Sequence, residues 1–154
     1  MQETPKQEQV ATSARAILAK FYALLKEIKA DYDQVKCMWT IRLRIQILHS
    51  DQPEDVPLDP ARYEEVLFKI DTGSNISILC QKDADRLGFT QADIRRKITA
   101  QSFNGDQASI FMTLCGVTDG DRSLTAEIGT GPSRESRIGM DLISRFAPIA
   151  WAAE

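Results

Sequence analysis

A mostly β domain preceded by one amphipathic helix is the fold class this sequence predicts, and three observations carry it. Apolar residues from Ser13 to Val35 recur at helical spacing, and those from Met38 to Leu48 alternate at period two. From Glu65 onward the chain breaks into short apolar runs separated by turn residues. With 154 residues, 43% of them apolar and 27% charged, the chain is long enough to bury one core of ordinary size. The change of texture divides it into a helical extension, residues 1–36, and a β domain, residues 37–154.

The helix reads from Ile17, Phe21, Leu24, Leu25, Ile28, Tyr32 and Val35, which share one face behind a Thr12 or Ser13 N-cap. Such a stripe packs on the domain that follows, or on a partner. In "MWTIRLRIQIL" the residues Trp39, Ile41, Leu43, Ile45 and Ile47 alternate with Thr, Arg, Arg and Gln, which is a half-buried strand with a charged outer face. "HSDQPEDVPLDPARY" has no period and several prolines, so it is a loop. "EEVLFKI" and "ISILC" read as strands, and "KDADRLG" as a helical turn closing on Gly88. "RKITAQSF" and "QASIFMTLCGV" flank Asn104-Gly105, a strong hairpin signal, and "RSLTAEI" follows as a further strand. The terminal "FAPIAWAAE" reads as one more apolar, strand-like run.

Composition excludes several function classes. A net charge of −3 and scattered basic residues offer no field for a phosphate backbone, so no nucleic acid is expected. Cys37, Cys80 and Cys115 lack paired spacing and His49 is the sole histidine, so neither a metal site, a disulfide framework nor a cofactor is expected. Three lone buried thiols fit a reducing, cytoplasmic setting. No stretch reaches the ~20 apolar residues of a membrane span.

One position runs against the pattern. In "FKIDTGSNISIL" the carboxylate of Asp71 stands between two apolar runs, where an unpaired charge costs several kcal/mol. Gly73 permits a tight turn, and backbone N–H groups with the hydroxyls of Thr72 and Ser74 can then approach the acid and keep it ionisable.

These residues, together with "RIGMDLISRF" downstream and the Asn-Gly hairpin between, resemble the retropepsin-like aspartic proteases over about Met38 to Trp151. The resemblance implies a single-lobed, closed β-barrel-like domain with a flap hairpin and a short C-terminal helix. It also implies a homodimeric aspartic endopeptidase that hydrolyses peptides bound in extended conformation, with apolar side chains beside the scissile bond. Asp71 would be the catalytic acid/base, and the second carboxylate would be Asp71 of another copy. Thr72 would hydrogen-bond across the two-fold axis, Gly73 would admit water and substrate, and Ser74 would support the outer carboxylate oxygen. Ile138 and Gly139 would form the apolar-Gly segment beneath the loop. Asn75 and the hairpin tip, Phe103, Asn104 and Gly105, would meet substrate. Asp141, at the helix start, is expected to be structural rather than catalytic. Dimerisation would use the terminal strand-like run, the N-terminal helix, or both. Asn75 and Met140 stand where many viral members place an acid and an arginine, so that ion pair is absent. The alternative reading is a non-proteolytic retropepsin-like dimerisation or peptide-binding module.

Overall fold

The computed structural model describes residues 5–49, 58–101 and 105–152, with side chains from residue 13 onward. Helix α1 (Pro5–Glu27) leads into strand β1 (Asp31–Asp33) and the long strand β2 (Met38–Ile47). There follow β3 (Glu64–Ile70), β4 (Ile78–Leu79), helix α2 (Gln81–Arg86), β5 (Arg96–Gln101), β6 (Gln107–Thr118), β7 (Ser123–Thr130) and β8 (Arg137–Ile138). Helices α3 (Met140–Phe146) and α4 (Pro148–Ala152) complete the described chain.

The eight strands form one sheet in the order β1-β2-β3-β8-β4-β7-β6-β5, and β6 also pairs with β2 through Arg44↔Thr118 to Ile47↔Cys115. That second pairing closes the sheet on itself, which removes most free edges and encloses a core. In β2 the alternation holds from Ile41 to Ile45, with Ile41, Leu43 and Ile45 buried and Arg42 and Arg44 exposed, but Thr40 and Gln46, expected to face outward, are also buried. Phe68 of β3, Leu79 of β4, Ile128 of β7 and Ile138 of β8 meet them inside, each with no exposed surface. Burying each such side chain contributes roughly 1.5–3 kcal/mol. Leu142 and Ile143 of α3, Leu24 of α1 and Ile28 just after it join the same core.

Three expectations need correction. The N-terminal helix ends at Glu27, not Val35: Tyr32 and its neighbours form β1, hairpinned to β2 by the register Asp33↔Met38. Asp33 Oδ1 accepts from the N–H groups of Val35 and Lys36, and Cys37 closes the turn at φ 53°. A carboxylate that satisfies turn donors outcompetes helix continuation there. Cys37 is consequently exposed, whereas Cys80 and Cys115 are buried as read. Finally, the terminal apolar run is not a strand, because Pro148 opens α4 as its first helical residue.

Among the described residues no helix is long and apolar enough to cross a membrane.

Candidate active site

Two loops meet at the mouth of the sheet. The first joins β3 to β4 and carries Asp71 to Ser77, and the second is β8 with the start of α3. β8 lies between β3 and β4, parallel to the former through Lys69↔Arg137 and Ile70↔Ile138 and antiparallel to the latter. Asp71 continues this ladder, its N–H donating to Ile138 O at 2.9 Å. The chain then turns, with Ser74 N donating to Asp71 O at 3.2 Å. The carboxylate is thereby fixed at the end of a paired strand, not on a free loop.

Its two oxygens differ. Oδ1 accepts from Gly73 N at 3.2 Å, while Oδ2 faces Arg137 Nη1 at 3.5 Å. The Asp71 side chain is 30% exposed, so it is held but reachable. The Ser74 hydroxyl is engaged elsewhere than expected: it donates to Ile76 O at 2.9 Å and accepts from Ile76 N at 3.2 Å. Asp71 Oδ2 thus meets a guanidinium, and the Ser74 hydroxyl bonds to neither carboxylate oxygen. Thr72 and Asn75 are exposed on the loop.

Beneath the loop, Ser77 is completely buried and links three segments. Its N–H and Oγ donate to Asp141 Oδ2 and Oδ1 at 3.1 and 2.7 Å, and its Oγ accepts from Gly139 N at 2.9 Å. Ser77 O accepts from Gly129 N on β7. Asp141 is therefore committed to holding the loop. Gly139 is required sterically, since a Cβ there would lie 2.7 Å from Ser74 O and 2.9 Å from Ile76 O, both backbone atoms. At Gly73 a Cβ would make only ordinary contact, 3.5 Å from Asp71 Oδ1.

The hairpin between the two loops is present: β5 and β6 pair antiparallel up to Gln101↔Gln107, and Gly105 takes φ +81°. Phe103 and Asn104 lie outside the described residues. A cavity of about 620 Å³ on the helical side of the Asp71 loop is lined by Phe21 and Leu24 of α1, Thr72, Asn75, Met140 and Trp151. Asp71 does not line it, so this space is a junction between the loop and the helices.

Among the described residues no three His, Cys, Asp or Glu side chains gather as a metal-binding group. His49 Nδ1 lies 3.0 Å from Asp93 Oδ1, in a pair distinct from the loop. Sequence reasoning missed Ser77 and Arg137. A hydroxyl inside "ISIL" and a cation next to Ile138 were the available signals, but neither names a partner.

No protein-family model and no curated protein matches the sequence. Similar solved structures include the EIAV protease in complex with the inhibitor HBY-793, at 15% identity and TM-score 0.52, over 73% of this chain and 91% of that one. A retropepsin-like aspartic protease from Rickettsia conorii is 17% identical with TM-score 0.48, over 75% of this chain and 77% of the other. At such identities the likeness is one of architecture, and the chain has the retropepsin fold.

Proposed function

We propose that the chain is a homodimeric aspartic endopeptidase of the retropepsin-like family, acting through two Asp71 carboxylates, one from each subunit. The observation that carries this reading is the placement of Asp71: a partly exposed carboxylate that accepts from the Gly73 N–H, on backbone tied to Ile138 at the end of β3, within a retropepsin fold. Hydrolysis without a covalent intermediate needs a base for the water and an acid for the carbonyl oxygen at the same moment. One carboxylate cannot be both, and Asp141 is occupied by Ser77.

Across a two-fold axis, two Asp71 side chains would share one proton and titrate as a pair. The ionised member takes a proton from the bound water while the protonated member donates to the scissile carbonyl oxygen. Thr72, exposed beside Asp71, would bond across the axis. The β5–β6 hairpin would close over an extended peptide, with Phe103, Asn104 and Gly105, which fall between the two strands in sequence, meeting the substrate. Apolar surface for the subunit contact is available on α1 and α4: Ile17 and Ile149 are 71% and 75% exposed, Leu18, Tyr22 and Trp151 are also exposed, and Ile17 and Trp151 share a cavity with Thr72 and Asn75 of the loop.

The test is hydrolysis of a peptide library near pH 5 at concentrations where light scattering shows a dimer. Asp71→Asn is expected to lose at least a factor of about a hundred, and wild-type specific activity is expected to rise with protein concentration until the dimer is saturated. Equal inertness of wild type and Asp71→Asn as dimers would replace this reading with the peptide-binding or assembly module.

A further inference from the structure

Arg137 is an arginine that the fold leaves under-satisfied beside the reacting carboxylate. Its Nη1 lies 3.5 Å from Asp71 Oδ2, a long contact to one oxygen, and its Nε is buried with no hydrogen-bond partner among the described residues. The side chain is nevertheless 42% exposed, so a ligand can reach it. A guanidinium offers five donors in a planar fork and is best matched by a carboxylate taken in bidentate fashion. The Asp71 contact does not supply that match, and a pair of this geometry with both ends partly solvated holds weakly.

We infer that Arg137 is a specificity-determining residue that binds an acidic side chain of the substrate next to the scissile bond. The inference rests on the peptidase reading, because it places an extended peptide against Asp71. On that reading the scissile bond lies against the Asp71 carboxylate, so a group 3.5 Å from Asp71 Oδ2 stands alongside the residues flanking the bond, given a rise of about 3.3 Å per residue in an extended chain. Residues carrying Asp or Glu there would give Arg137 the two-oxygen acceptor it lacks, while releasing Asp71 Oδ2 to the water. In a symmetric dimer the two copies of Arg137 would serve the two sides of the bond. This departs from the apolar flanks that the family resemblance implies.

The test uses matched peptides with Glu, Gln or Leu on either side of the cleavage position. One set is cleavable, and the other carries a non-hydrolysable hydroxyethylene link. Affinity for the uncleavable set and kcat/KM for the cleavable set are measured for wild type, Arg137→Gln and Arg137→Lys. Wild type is expected to favour Glu over Gln by roughly tenfold or more, with a preference that shrinks as salt rises. Arg137→Gln should abolish the preference, and Arg137→Lys, which keeps the charge without the fork, should retain part of it.

Equal affinity for Glu and Gln peptides in wild type overturns the proposal, and this comparison needs no variant to fold. So does a Glu preference that survives Arg137→Gln. Cleavage without any Glu preference would sink the role of Arg137 and leave the peptidase reading standing. Arg137-dependent Glu binding without cleavage would do the reverse, and binding of no peptide would end both.

Discussion

Ser77 shows how much of this site depends on a single side chain that does no chemistry. Its hydroxyl donates to Asp141 and accepts from the Gly139 N–H, so removing the oxygen leaves a buried backbone donor unpaired and takes from Asp141 one of its two Ser77 donors. An unsatisfied buried polar group costs about 1–3 kcal/mol. Ser77→Ala is accordingly expected to lower the unfolding free energy by ~2 kcal/mol in urea titrations. Activity should fall further than the remaining folded fraction explains, because the same bonds fix the floor under Asp71. A variant that loses neither stability nor activity would show that the network is dispensable. Asp71 itself was legible in the sequence, since a lone acid between apolar runs is conspicuous. Its surroundings were not: the Ser77–Asp141 and Asp71–Arg137 partners come together only through the β3–β8–β4 ladder.

At the scale of elements, α4 depends on α1. Glu27, the last residue of α1, accepts from the N–H groups of Ile149 and Ala150 through Oε1 and Oε2 at 3.2 and 2.8 Å, capping the start of α4 from another helix. Lys20 lies 4.9 Å from the centre of the Trp151 ring, joining the same two helices. Loss of a cap costs about 1 kcal/mol. Glu27→Ala should therefore cost little global stability yet loosen α4 and Trp151. If α1 and α4 form the subunit contact, sedimentation should show dimer dissociation shifted by a larger factor than the change in folding. An unchanged dissociation constant would assign the contact elsewhere. Element type was readable where periodicity ran long, as in β2, and where turn chemistry was explicit, as at Gly88 and Gly105. It failed where the deciding partner was distant or the run was short. Ile149 and Trp151 are two residues apart, which suits a strand, and five helical residues cannot display a 3.6 period. Tyr32 and Val35 continued the helical stripe in spacing, but the Asp33 turn and the pairing with β2 took precedence.

For the whole molecule, the proposed shared-proton carboxylate pair would require the closed sheet to stay folded in the acidic range. Asp83 and Asp93 decide part of this. Burial pushes the Asp83 carboxyl up, but hydrogen bonds from Ser136, Arg86 and Cys80 together with the Arg86 charge outweigh it, and its pKa lies below the usual value. Burial opposes ionisation of Asp93 likewise, and bonds from Thr90 and His49 carry its pKa below normal. A depressed folded-state pKa means the unfolded chain takes up protons first as pH falls. The stabilisation these groups give is complete above the unfolded value near 4 and is lost progressively as pH drops through the lowered folded values. Unfolding free energy from these two sites should therefore stay flat between pH 7 and 5 and decline below about pH 4. In Asp83→Asn, which keeps the shape without a titrating proton, the decline should be shallower while stability at pH 7 is lower. Urea unfolding across pH 3 to 7 at fixed protein concentration measures both slopes. Equal slopes in the two proteins would mean that Asp83 does not set the acid limit of the fold, and that the bonds from Ser136 beside β8 and from Arg86 within α2 are as strong to a neutral amide as to a carboxylate.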